Sequence, residues 1–280
     1  GSYGTSFECD ADGLVLARYD LRRDGSRFLR KNGTAGKMFT RSNLGDVLTE
    51  SWVDATGKKV MGPQGWSAFT ATRDAYGNGI GRTYVGADGK PALHKKGYAS
   101  WRDTFDDRGN LIEVAFFGLD GKPTLRKDGD ASYRCKYDAR GNQIEAAYFG
   151  LDGKPTLYKY GYAGWRDTFD DRGNLIERAY FGVDGMPALM KDGYATWRDT
   201  FDDRGNIIET AFFGVDGKPA LHKEGYATWR DAFDDRGNLI ERTYFGVDGE
   251  PALHKDGYAS WRSRFNDRGN EIERAHFGVD

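Results

Sequence analysis

A chain of 280 residues has room for two ordinary globular domains, but 38% hydrophobic against 30% charged residues leaves little material for one thick core. The apolar part is concentrated in seven Trp, 16 Tyr and 17 Phe, which suits many thin aromatic layers. A formal net charge of −2 excludes a general attraction to nucleic acid or an anionic membrane, and no run reaches the roughly 18 to 20 apolar residues that a spanning helix needs.

The amino end, Gly1-Ser2-Tyr3-Gly4, lacks a basic region followed by an apolar one, so no signal peptide is expected in this stretch. Gly-Ser resembles a tag-cleavage scar, which leaves a native targeting segment open. Cys9 and Cys135 stand almost four repeats apart at different repeat positions, so no disulfide is expected and the redox compartment stays open.

Aligning Trp101, Trp165, Trp197, Trp229 and Trp261 gives intervals of 64, 32, 32 and 32 residues, with Tyr133 filling the missing step. The period is therefore 32, and eight units plus 24 residues account for the chain (8 × 32 + 24 = 280). Residues 1–96 hold three diverged units, in which Phe69 takes one Trp position and Cys9, Arg41 and Arg73 stand where Phe105 stands later. They read as an amino-terminal cap or docking end. Residues 97–280 hold near copies, the last of them truncated at Asp280 within an Asp-Gly turn, so the array is expected to continue in a larger protein.

In the unit that begins at Gly97, Tyr98 to Phe105 and Leu111 to Phe117 are aromatic-rich segments of strand character. Between them lies Asp106-Asp107-Arg108-Gly109-Asn110. Glycine recurs at this place in all nine units, Gly173, Gly205 and Gly237 among them, as a turn ending in a left-handed residue and a bulge requires. If Asp106 faces Asn110, then Asp103 faces Glu113 and Trp101 faces Ala115. The connection from Gly118 to Gly129 carries Pro123 and Leu125. Six of the seven prolines share that place, and the leucine two residues on is expected to plug the core as the connection folds back across the hairpin. Stacked hairpins with such connections predict an all-β, elongated and twisted solenoid-like array of about nine repeats, about 80 Å long at ~4.8 Å per strand.

Tyr137-Asp138-Ala139-Arg140-Gly141-Asn142-Gln143-Ile144 resembles the core of YD repeats, also called RHS repeats, and its sister units read Phe-Asp-Asp-Arg-Gly-Asn. The likeness covers about ten residues of each unit. It implies a β-hairpin array of the kind found in bacterial secreted toxins and surface proteins, where such arrays form shells or stalks and are not catalytic. The 32-residue period is longer than that family's, and the Asp-Gly-x-Pro-x-Leu element lies outside its motif, so a bacterial hairpin-repeat family of its own is equally open.

Repeated Glu113, Glu177 and Glu209, repeated Arg102, Arg166 and Arg198, and Asp103 and its equivalents invite a glycosidase-like carboxylate pair. Their repetition along a ladder points instead to an ionic network between neighbouring hairpins, because partly buried charges need partners. The acidic turns invite calcium, yet Asx side chains closing their own turns explain the composition, and neither metal nor other cofactor is expected. His94, His222 and His254 share one position with Arg126, Tyr158 and Met190, and such variety predicts exposure. The Trp series reads as core in preference to a sugar-stacking ladder.

The expected function is a non-catalytic scaffold that binds a protein or peptide, or serves as a stalk. A carbohydrate-binding module using aromatic and acidic residues is the alternative. Recognition is assigned to the positions that vary between repeats: Val114, Ala146, Arg178, Thr210, Arg242 and Arg274 on the second strand, and Arg126, Tyr158, Met190, His222 and His254 on the connection.

Overall fold

The computed structural model describes residues 2–42, 44–74 and 77–279. They form an all-β, solenoid-like array of stacked antiparallel hairpins with no helix, and so no helix long and apolar enough to cross a membrane. Gly1 and Asp280, on which the readings of the chain ends partly rest, lie outside the described residues.

Two compact units divide the chain, Gly1–Arg134 with Phe149–Gly153, and Cys135–Tyr148 with Lys154–Asp280. The first holds β1 (Gly4–Cys9), β2 (Val15–Leu21), β3 (Gly36–Arg41), β4 (Val47–Val53), β5 (Ala68–Arg73), β6 (Gly79–Val85), β7 (Ser100–Phe105) and β8 (Leu111–Phe117). The division falls within β9 (Ser132–Tyr137) and β10 (Gln143–Phe149). The second unit continues with β11 (Gly164–Phe169), β12 (Leu175–Phe181), β13 (Thr196–Phe201), β14 (Ile207–Phe213), β15 (Thr228–Phe233), β16 (Leu239–Phe245), β17 (Ser260–Phe265) and β18 (Glu271–Phe277).

Eight of the hairpins carry a bulge beside their turn, and the bulge corrects the expected register. Phe105 does face Leu111, but Ile112 is then unpaired, so Thr104 faces Glu113, Asp103 faces Val114 and Trp101 faces Phe116. Two residues of β8 oppose one of β7 there, and every partner beyond shifts by one. Asp103 and Glu113 therefore point to opposite faces of the sheet, because side chains alternate along a strand.

The turn follows from its residues. In Asp106–Asn110 the Asp106 amide donates to the Asn110 carbonyl at 2.9 Å, and Gly109 closes the turn at φ 82°. The Asp106 carboxylate accepts from the amides of Arg108 and Asn110 and from the Asn110 side chain, all within 2.9 Å. The connection is two more turns of the same design, closed by Gly121 and Gly129. All 25 glycines of positive φ among the described residues repeat this spacing of 12, 8 and 12.

Between those two turns the chain returns along the strand end. Pro123 bridges Phe117, and the Thr124 amide donates to the Phe116 carbonyl at 3.0 Å. The leucines that follow do not plug the core: Leu125 is 46% exposed, Leu189 50% and Leu253 47%. The Pro bridge already holds the segment to the strand's edge, and the inward position belongs to the tyrosine after the second glycine.

That tyrosine builds the core. In the second unit Tyr162, Tyr194, Tyr226 and Tyr258 from the connections alternate with Tyr180, Phe212, Tyr244 and His276 from the even strands. Ring centroids are 4.7 Å apart between Tyr194 and Phe212 and 6.0 Å between Phe212 and Tyr226, alternately tilted and edge-on as aromatic quadrupoles prefer. The first unit has its own hydrophobic cluster, the aromatics Trp52, Trp66, Phe69, Tyr84, Tyr98 and Phe116 with Val114 among them.

Candidate functional site

The connections cover one face of the hairpins and leave the other open. On the open face of the second unit, Arg198 of β13 donates from Nε to Glu177 of β12 at 2.5 Å while its guanidinium lies 4.6 Å above the Phe213 ring. Arg166 with Glu145 and Phe181, and Arg230 with Glu209 and Phe245, repeat this rung. Each Arg reaches the preceding hairpin, where its strand partner is that same Glu. The ionic network between neighbouring hairpins thus exists for Arg and Glu. It does not include the Asp series, which the bulge sends to the covered face.

On the covered face the positions that vary between repeats are filled by matched pairs. Arg178 forks onto Asp167 at 2.6 and 2.7 Å with its guanidinium 4.2 Å over Trp165. Arg242 does the same with Asp231 and Trp229. Thr210 donates to Asp199 at 2.5 Å, and Arg274 donates to Ser263 and stacks over Trp261. Where the partner is Val114, burial pushes the Asp103 carboxyl up to about 6, opposed only by the charge of Arg82. Burial also raises Asp199 against its Thr210 bond. The aromatic two residues on also varies: Tyr180 and Tyr244 accompany Arg178 and Arg242, Phe212 and Phe116 accompany Thr210 and Val114, Tyr148 accompanies Ala146 and His276 accompanies Arg274.

The variable connection positions lie against the same layer. Tyr158 stacks on Tyr148 at 4.5 Å, Met190 packs into the aromatic cluster, and His222 sits between Tyr194, Phe212 and Tyr226. His254 is only 8% exposed, so variety here does not mean exposure. The position accepts any side chain that is flat or flexible enough to lie on the tyrosine of its own connection. Burial lowers the His222 pKa, against the charges of Glu224 and Asp192. Trp101, Trp165, Trp197 and Trp229 are half-buried, and Trp261 is buried. The glycines at Gly109, Gly173, Gly205 and Gly237 all hold φ between 82° and 91°.

Two further ladders escaped sequence reasoning. Turn arginines reach the next turn: Arg140 donates to the Asp171 carbonyl at 3.0 Å, Arg204 to Asp235 at 2.8 Å and Arg236 to Asp267 at 3.1 Å. Successive connections are tied by backbone bonds from Lys191 to Tyr160, Lys223 to Asp192 and Lys255 to Glu224, of 2.7 to 2.8 Å. The recurring Arg just before the turn glycine was the available signal for the first. Nothing in the side-chain pattern announces the second.

Shallow clefts open between hairpins on the uncovered face. One of 590 Å³ is lined by Thr168, Ile176, Glu177, Arg172, Arg198 and Thr200 among others. Another of 530 Å³ repeats it at Ile240, Glu241, Arg262 and Arg264. Among the described residues no group of three or more His, Cys, Asp or Glu side chains is placed to hold a metal ion.

No family model matches the sequence, and no curated protein matches it. Among solved structures the chain is similar to the crystal structure of TcdB2-TccC3-TEV, with a TM-score of 0.58 and 14% identity over 98% of this chain. A second similar structure is the Photorhabdus luminescens Tc holotoxin pore, at 13% identity over 99% of this chain, with a TM-score of 0.40. The chain spans 13% of the length of each. At this identity the first likeness establishes a shared fold.

Proposed function

We propose that this chain is a non-catalytic repeat scaffold that binds a protein or peptide and forms part of a larger bacterial protein. One observation carries the reading: the Glu and Asp ladders lie on opposite faces of the sheet, and Glu145, Glu177 and Glu209 are each engaged by an arginine of the next hairpin in the same geometry every 32 residues. Glu177 is held by Arg198 and Asp167 by Arg178, on opposite faces. A hydrolytic pair needs two carboxylates about one substrate bond. A scaffold needs the opposite, an invariant frame with a long, regular exposed surface.

In this reading the variable residues Arg178, Thr210, Arg242, Arg274, Tyr158, Met190, His222 and His254 act from beneath, setting the layer on which the exposed connections rest. The first three units, 1–96, serve as the amino-terminal cap. The YD/RHS resemblance favours protein partners over glycans and a secreted or surface setting.

Peptide display against the purified chain tests the proposal, with a glycan array as its counterpart. Selected peptides should bind saturably and be displaced by one another. Enrichment of no peptide, combined with glycans that quench Trp fluorescence, would favour the carbohydrate reading instead.

A further inference from the structure

The open face of the second unit presents a row of guanidiniums whose outer edges are unused. Arg166, Arg198 and Arg230 spend only Nε on their glutamates, at 3.0, 2.5 and 2.5 Å. Their Nη1 and Nη2 groups have no hydrogen-bond partner among the described residues. The arginines are 62%, 56% and 60% exposed, while Glu145, Glu177 and Glu209 are recessed at 24%, 31% and 32%. The Phe ring beneath and the Glu beside each guanidinium hold it in one plane, pre-set for a second carboxylate. The accessible charge of the row is therefore positive although the chain as a whole is not.

Spacing selects the partner. Successive arginines are one hairpin apart, about 9.6 Å at ~4.8 Å per strand. A polyproline II helix repeats every three residues, about 9.3 Å, and presents residues i, i+3 and i+6 on one side. An extended strand covers a similar distance in three residues but turns residue i+3 to its opposite face. Dense polyanions fit poorly, since the phosphates of each strand of a duplex advance only ~3.4 Å apiece along its axis. They would also meet the turn carboxylates along the same edge, of which Asp203 is fully exposed.

We propose that the row Arg166, Arg198 and Arg230 docks an acidic, proline-rich peptide segment that runs across the strands in polyproline II form with a carboxylate at every third residue. The intervening residues lie in the clefts between rungs, over Ile176 and Thr200. The inference rests on the peptide-scaffold reading and gives it a surface and a ligand chemistry.

The test uses the whole chain and a fluorescent peptide of six Glu-Pro-Pro triplets, measured by anisotropy. It should bind, more weakly as salt is raised. A peptide of identical composition with its glutamates clustered at one end should bind at least about tenfold more weakly, roughly 1.4 kcal/mol. The combined variant Arg166→Gln, Arg198→Gln, Arg230→Gln should lose at least about tenfold while its melting temperature is monitored. Equal binding of the two peptides overturns the proposal and needs only the unaltered chain, so misfolding of the variant cannot shield it. Unchanged affinity in a folded variant overturns it too, as does preferential binding of a sulfated glycan. If these peptides fail while display-selected ones bind elsewhere, the inference falls and the scaffold reading stands.

Discussion

The rung at Arg126 and Asp130 in the first unit and the rung at His222 and Tyr226 in the second occupy the same two repeat positions with opposite chemistry. In the second unit two stacked rings, 5.4 Å apart, complete an unbroken aromatic spine. In the first, Asp130 replaces the tyrosine, is fully buried, and is held by Arg126 at 2.8 Å. Burial pushes the Asp130 carboxyl up while the Arg126 bond pulls it back. Arg126 also covers the Phe116 ring at 4.6 Å, so the guanidinium stands in for the missing ring's flat body. Nearer the amino end Arg30 pairs with Asp20, which stands at the strand position of Phe116, while Thr34 takes the position of Asp130. The backbone frame tolerates either chemistry, but a polar side chain in the spine requires its partner at the facing position.

The largest expected effect breaks the polar rung. Arg126→Ala leaves Asp130 buried without its cation and should destabilise the first unit by about 3–5 kcal/mol, measured by urea denaturation. Converting the rung to the aromatic type with Arg126→His and Asp130→Tyr together should be neutral or stabilising. A double variant as damaged as the single one would refute the equivalence of the two rungs.

The second effect concerns two glycines that share positive φ but not surroundings. A Cβ at Gly205 meets nothing within 4 Å, so Gly205→Ala carries only backbone strain, about 1 kcal/mol. A Cβ at Gly193 meets the Leu221 carbonyl at 2.7 Å, so Gly193→Ala should cost clearly more by forcing adjacent connections apart. Equal melting temperatures for the two variants would show that the connections yield freely.

Acid should act through two buried groups, His222 and Asp103, with opposite sign. Burial holds His222 below its ordinary 6.5, so the unfolded chain binds that proton more readily. Stability from neutral His222 is complete above about pH 6.5 and is lost as pH falls through that value towards the lower folded one. Asp103 is raised from 3.8 to about 6, so its contribution is present at low pH and is lost as pH rises through that window. His222→Phe should flatten the first slope and Asp103→Asn the second in melts taken from pH 4 to 8.

The smallest effect belongs to the open face. Arg198 is 56% exposed, so Arg198→Ala should cost no more than about 0.2–1 kcal/mol, less in high salt. A larger loss would mean that the rungs of this face carry stability which the spine is assigned here.

Much of the architecture was legible before any coordinates. The 32-residue period, the turn at Gly109 and the strand Leu111–Phe117 follow from spacing, because glycine alone relieves a left-handed turn and strands announce themselves by aromatic and β-branched runs. The sites were less legible. One unpaired residue, Ile112, moved Asp103 away from Glu113 and onto Val114, and no local preference marks which of two adjacent residues a bulge will leave out. The variety at His222 and His254 suggested exposure because one chain position cannot say what lies across from it.

The amino-acid sequence by itself determined the repeat, its turns and the hairpin class, since these depend on residues within a few positions of one another. Only the tertiary structure decided which face is covered, that Tyr194 and Phe212 and not Leu189 form the core, and that Arg198 answers Glu177 of the preceding hairpin. Those outcomes depend on register and on stacking against a neighbouring repeat, both set by contacts between residues distant in the chain.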